Sequence, residues 1–84
     1  AGAIGAHRTP PYPSTHNLGS LRMSELPKDG VLNRWGCAHD VKNLFVSDGS
    51  VMTTGGAANP TLTIVALAIR QAEYIAKSLN AGDL

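Results

Sequence analysis

His16 is the residue of this chain with the clearest capacity for acid–base chemistry. It lies in a polar stretch, residues 14–20 (STHNLGS). A histidine side chain can be a neutral base at neutral pH, which is what a reaction needs when it removes a proton from a hydroxyl group. Taken alone, a histidine in a polar loop is more often an ordinary solvated side chain, so the residue type permits a catalytic role without establishing one.

Asn59, the second chemically capable side chain, stands directly before Pro60. An amide cannot take a proton, but it can orient an alcohol by hydrogen bonding. Asparagine before a helix is also a common N-cap. Both interpretations of Asn59, substrate contact and helix cap, stay open at this point.

Two glycine-containing segments could face a ligand, the turn at Asp48 and Gly49 and the small-residue loop around Gly55 and Gly56. A ligand often binds just past the C-terminal end of a strand, and glycine allows close approach of the backbone to another group. The alternatives are an ordinary turn and a flexible loop without a ligand.

The elements that would position these residues are a strand and a helix. Residues 41–46 (VKNLFV) predict a short buried strand, closed by a tight turn at 47–50 (SDGS). A helix is predicted over about 60–80, with Pro60 in its first turn and Gly82 as its stop. Its apolar spacing predicts a core-facing stripe made of Leu62, Val65, Ile69, Ala72, Ala76 and Leu79.

The N-terminal half reads as loops and turns. Residues 7–20 are rich in proline and predict an extended loop, and residues 21–34 predict turns with a short strand at Val31 and Leu32. Aromatic side chains are expected to pack in the core, while Tyr12 could line an entrance near His16.

Composition excludes several classes of protein. The net charge is +1 and the seven Lys and Arg are scattered, which does not support nucleic-acid binding. No apolar run is long enough to span a membrane. Cys37 and His39 lack zinc-site spacing, and His7 is too unspecific to complete a site, so no metal is expected. With 43% apolar and only 15% charged residues, part of the surface is expected to face other protein.

Four ordered blocks resemble the C-terminal signature of the glucose-methanol-choline (GMC) family of FAD-dependent oxidoreductases. They are residues 14–20 (STHNLGS), 21–23 (LRM), 43–50 (NLFVSDGS) and 59–63 (NPTLT). The resemblance covers roughly residues 14–80, and the ordered set is far more specific than any one block. Residues 36–46 look most like bacterial members that act on sugars or alcohols.

The resemblance implies dehydrogenation of a CH–OH group on a sugar, polyol or other alcohol. His16 would take the hydroxyl proton while hydride passes to flavin N5, and Asn59 would hold the substrate oxygen. The resemblance also implies FAD contacts at Asp48 and Gly49, near the ribityl and diphosphate region. The resemblance further implies that Asn59, Pro60 and Thr61 contact FAD. In the similar bacterial members a quinone or a cytochrome often accepts the electrons, and no residue of this chain decides between acceptors.

The implied fold is α+β, the C-terminal fragment of a two-domain FAD-binding enzyme. Residues 1–15 would end the substrate-binding domain, and residues 16–84 would complete the FAD-binding domain with one strand and the helix at about 60–80. The dinucleotide-binding Gly-x-Gly-x-x-Gly of the family is absent, so the remaining N-terminal part is an expected partner and the chain is expected to be inactive alone.

A second interpretation comes from another class. The chain could be a non-catalytic interaction module that docks through its apolar C-terminal helix. An assembly with active flavin would be yellow, whereas a docking module would be colourless.

Overall fold

The computed structural model describes residues 2–10 and 15–84 of the chain. Over these residues a loop-rich region leads to a short 3-10 turn, Gly49–Val51, and then to one α-helix, α1, Thr61–Asn80. The extended loop expected over residues 7–20 has no regular structure in its described parts. Tyr12 lies outside the described residues.

Single β-bridges, rather than strands, organise the loop-rich region. Met23 bridges Leu32 in parallel, Leu32 bridges Ala38 antiparallel, and Cys37 bridges Phe45 antiparallel. Leu32 is completely buried and forms the centre of a small apolar cluster. The short strand predicted at Val31 and Leu32 is therefore reduced to bridges at Leu32.

The strand predicted over residues 41–46 is wrong in its first half. Cys37 and Phe45 pair antiparallel, so the chain must reverse direction between them. Val41 to Leu44 make that reversal, closed by a hydrogen bond from Leu44 N to Val41 O at 3.1 Å. The second half is extended and pairs through Ala38 N to Leu44 O and Val46 N to Gly36 O, both 2.9 Å. The described residues thus hold little strand, and the β part of the α+β expectation is not confirmed.

The predicted helix is confirmed, although its start differs from the expectation. Pro60 occupies the N-cap position, and its carbonyl accepts the amide of Ile64 at 2.9 Å. Asn59 is therefore one residue too early to cap α1, and the capping interpretation of its side chain is wrong.

The predicted stop at Gly82 is confirmed as well. Gly82 adopts φ +76°, a left-handed conformation that glycine tolerates without strain. The amides of Gly82 and Asp83 then bond to Leu79 O at 3.1 Å and Ser78 O at 2.8 Å. These two bonds satisfy the carbonyls of Leu79 and Ser78 in the last turn of the helix.

The face of α1 that packs inward is opposite to the predicted stripe. The inward-facing residues are Ile64, Leu67, Ala68, Gln71, Tyr74, Ile75 and Ser78. Leu62 is 85% exposed and Ile69 58% exposed. Two residues along a helix turn the side chain by about 200°, so the pattern beginning at Ile64 faces away from the one beginning at Leu62. The predicted stripe does not pack against the described residues of this chain, and its packing in a larger protein stays a prediction.

Aromatic and polar contacts hold α1 on the loops. Trp35 stacks on Tyr74 with ring centroids 4.5 Å apart, as expected for packing residues, and the Arg70 guanidinium lies 4.2 Å from the Trp35 ring centroid. The buried Gln71 amide donates to Trp35 O at 3.0 Å and to Val46 O at 2.9 Å. Gln71 therefore ties the helix to both sides of the bridged loops.

The chain buries little of its surface. Its accessible area is 6731 Å², whereas a compact protein of this mass exposes about 4,800 Å². Its radius of gyration is 17.4 Å, against about 12 Å for a compact domain of this length. Within the described residues, α1 does not have the length and apolar character needed to cross a membrane.

Candidate functional site

The segment that carries His16 turns toward the 3-10 turn. His16 and Asn17 are exposed, and Leu18 is half-buried. Gly19 adopts φ +88°, which reverses the chain where a side chain would be strained. Beyond it, Leu21 N donates to Ser50 O at 3.1 Å, which anchors the segment.

Asp48 organises the start of the 3-10 turn. Its extended backbone caps the turn, and its carboxylate accepts Ser50 N at 2.8 Å as well as the Ser50 hydroxyl. The Ser50 hydroxyl, followed by the Ser50 amide, lowers the pKa of the Asp48 carboxyl from its ordinary value. Asp48 is therefore an ionised, exposed carboxylate at neutral pH.

Leu18 lies against two glycines. A Cβ placed on Gly49 would come within 2.9 Å of Leu18 Cδ2 and 3.2 Å of Ile64 Cδ1. A Cβ on Gly55 would come within 3.0 Å of Leu18 Cδ1. Both glycines thus leave room for the methyl groups of Leu18, and the His16 segment, the Asp48 turn and the first turn of α1 meet at this contact.

The second block of the sequence reaches the same place through its backbone. Met23 N donates to Val51 O at 2.9 Å, in line with the Leu21 to Ser50 bond. Three of the four blocks therefore converge on the 3-10 turn.

The start of α1 forms the fourth part of the candidate site. Asn59 and Thr61 are exposed, and Pro60 is half-buried. The first turn of α1 has no acidic residue, and the N-cap position has no side-chain hydrogen bond. The helix start thus offers amide donors and about half a positive charge. Neither Asn59 nor Pro60 is among the atoms nearest to Gly49 or Gly55.

Two structural residues were missed in the sequence, Leu18 and Gln71. Gly49 and Gly55 were recognised as places of close backbone approach, but the group that approaches is Leu18 of the same chain. The available signal was one leucine inside an otherwise polar block. For Gln71, the signal was a polar residue two helical turns after Ile64, on the same face.

Other reactive side chains have structural partners. The Ser24 hydroxyl donates to Leu26 O at 2.7 Å, so at 3.2 Å from His39 Nε2 it acts as an acceptor rather than a nucleophile. Burial raises the pKa of the Cys37 thiol, whose Sγ lies 3.2 Å from Lys42 O. No group of three or more His, Cys, Asp or Glu that could hold a metal occurs within residues 2–10 and 15–84.

Comparison with known proteins identifies the class. The family profile described as GMC oxidoreductase matches residues 5–68. A 2-methyl-1,2-propanediol dehydrogenase of Mycolicibacterium austroafricanum is 51% identical over 70 residues, which is 83% of this chain and 13% of that protein.

Two further relatives are a dehydrogenase and an oxidase by name. The fructose dehydrogenase large subunit of Gluconobacter japonicus is 39% identical over 74 residues, covering 86% of this chain and 14% of that protein. The paromamine 6'-oxidase of Streptomyces fradiae is 40% identical over 87 residues, covering 100% of this chain and 15% of that protein.

This chain belongs to the GMC oxidoreductase family, as the four blocks predicted. The family is generally FAD-dependent, and the relatives are alcohol and sugar oxidoreductases. The chain spans only 13–15% of the length of these three relatives. Nothing in the comparisons supports the alternative of a non-catalytic docking module.

Proposed function

We propose that this chain is the C-terminal part of an FAD-dependent oxidoreductase that dehydrogenates a CH–OH group of a sugar, polyol or other small alcohol. Membership of the GMC family supports the reaction class. The observation that carries the assignment to this site is the contact of Leu18 with Gly49, beside Ile64. That contact brings together the segments bearing the proposed base, the Asp48 turn and the helix start.

His16 is the proposed base, and it takes the hydroxyl proton of the alcohol. Asn59 is proposed to orient the hydroxyl oxygen, a role open to it because its side chain is exposed and does not cap α1. FAD, when bound, supplies the acceptor for the hydride that leaves the substrate carbon. The alcohol thereby loses one proton and one hydride and becomes a carbonyl compound.

The residues of this chain fit such a cofactor. The first amides of α1 precede the first intrahelical bond and are available as donors, with no acidic residue nearby in the turn. Donors of this kind suit the electron-rich carbonyl edge of a flavin. Pro60 and Thr61 would hold that edge, and Asp48 and Gly49 would contact the ribityl and diphosphate part.

The bare face of α1 supports a need for the remaining part of the enzyme. Leu62, Val65, Ile69 and Leu79 are 49–85% exposed along one side of the helix. The inward face is already occupied by the loops of this chain, so the second apolar face requires another partner. We propose that the N-terminal part of the oxidoreductase covers it, and that this chain is inactive alone.

The test is His16→Ala in the full-length protein that contains this chain. We expect substrate-dependent flavin reduction, followed by stopped-flow absorbance, to slow by about a hundredfold or more, because a positioned base contributes that much. Bound FAD, measured by absorbance per mole of protein, should be unchanged. His7→Ala is the matched control, since His7 is exposed in the N-terminal segment.

Two results would contradict the proposal. Reduction at the unmodified rate in His16→Ala would remove His16 as the base. A full-length protein that folds but carries no flavin would contradict the cofactor assignment, whatever the rate.

A further inference from the structure

We infer that Leu18 is a positioning residue, which sets the placement of the His16 segment by packing against Gly49 and Gly55. The inference rests on the proposed role of His16. It adds a steric element to the site that is not itself part of the chemistry.

The geometry of Gly49 gives the first argument. Leu18 Cδ2 and Ile64 Cδ1 lie so close to Gly49 that a Cβ there would be 2.9 and 3.2 Å away. Gly49 does not adopt a positive φ. Its lack of a side chain is therefore needed for space rather than for backbone conformation.

The second argument is that Leu18 lies outside the core of the chain. The core cluster consists of Leu32, Ala38 and Val51, with five partly buried neighbours, and Leu18 is not among them. Its contacts at Gly49 and Gly55 instead involve two loops of the candidate site. Leu18 therefore has a packing environment of its own at the site.

The third argument is the short covalent path to the base. Leu18 is two residues from His16, and the chain beyond it is fixed by the turn at Gly19 and the Leu21 to Ser50 hydrogen bond. A Cβ on Gly49 would also lie 3.5 Å from Asn17 O, so the backbone next to His16 is in van der Waals contact with the same position. Misplacement of a reacting group by about 1 Å can cost about a hundredfold in rate.

Gly49→Ala in the full-length protein tests the inference. The added methyl group would lie 2.9 Å from Leu18 Cδ2, so the end of the Leu18 side chain must shift, and we expect flavin reduction to slow by about tenfold. Gly5→Ala is the control, since a Cβ there would meet no atom within 4 Å and Gly5 does not adopt a positive φ.

A compensating variant separates positioning from general damage. Leu18→Val shortens the side chain that obstructs the new methyl group. Leu18→Val/Gly49→Ala should therefore recover at least about threefold of the rate lost in Gly49→Ala, a non-additive result expected only for residues in contact.

A readout independent of turnover is amide hydrogen exchange of residues 15–20, measured by mass spectrometry. Gly49→Ala should accelerate exchange in this segment, and the double variant should slow it again. Additive rates together with unchanged exchange would overturn the inference. That result would leave the proposed function intact if His16→Ala is still impaired, whereas an unimpaired His16→Ala would refute the proposed function first.

Discussion

Gln71 offers the sharpest test of how α1 is held on the candidate site. Its buried amide donates two hydrogen bonds, to Trp35 O at 3.0 Å and Val46 O at 2.9 Å. Val46 is two residues before Asp48, so one of these bonds fixes the chain immediately ahead of the proposed cofactor-binding turn. Replacing Gln71 by methionine keeps the length of the side chain and removes both donors.

The expected loss follows from these two bonds. Each contributes about 1 kcal/mol net, and a carbonyl left without its partner adds about 1 kcal/mol or more where water cannot replace the donor. Trp35 and Val46 are half-buried, so water can compensate in part. We expect Gln71→Met to lower the free energy of local unfolding by about 2 to 4 kcal/mol.

Native-state hydrogen exchange of the full-length protein measures this quantity segment by segment. The amide of Val46, which bonds to Gly36 O at 2.9 Å, should exchange faster in Gln71→Met. Lys77→Met introduces the same side chain at an exposed position of α1 away from the bare apolar stripe and should change stability by less than about 1 kcal/mol. Equal protection in the two variants would refute the role given to Gln71.

Three further predictions concern titration and surface burial. Ser50→Ala should raise the pKa of the Asp48 carboxyl toward its ordinary value, which carbon-13 NMR titration would measure. Because the pKa is lowered in the folded protein, the ionised carboxylate stabilises the turn above the unfolded pKa. This stabilisation is lost as pH falls through the folded pKa. An unchanged titration would contradict the assigned cause. The Cys37 thiol should react with iodoacetamide much more slowly in the folded protein than in urea, because burial raises its pKa. The contribution of the neutral, buried thiol to the stability of the folded protein is present below the unfolded pKa and is lost as pH rises through the folded pKa. Equal rates would indicate an accessible thiol. Ile69→Ala should destabilise the full-length enzyme by about 2 kcal/mol or more in urea unfolding. The control Leu26→Ala, at an exposed residue outside the helix, should cost less than about 1 kcal/mol. Equal small losses would mean that nothing covers the exposed face of α1.

The sequence predicted best what short-range interactions decide. The helix and its stop at Gly82 depend on residues within a few positions of one another, and both are present. The strand over 41–46 failed because its outcome depends on where Phe45 finds a partner. That partner is Cys37, only eight positions earlier, which forces residues 41–44 to turn.

The orientation of α1 could not be deduced from periodicity because both sides of the helix carry apolar residues. One stripe begins at Leu62 and the other at Ile64, and either satisfies a spacing of three and four. The aromatic stack of Tyr74 on Trp35 and the hydrogen bonds of Gln71 select the second stripe for contact within this chain. Those partners come from distant positions in the sequence.

The candidate site shows the same division between local and distant information. The block containing His16 was recognisable from its own residues, yet its placement depends on Leu18 meeting Gly49 and Gly55. The inward face of α1 packs on these loops, and its outward face is an exposed apolar surface that the proposed N-terminal part would cover. A change at the proposed partner's contact with Ile69 could therefore reach the first turn of α1, and through Ile64 the Leu18 contact, without altering any residue proposed to touch substrate.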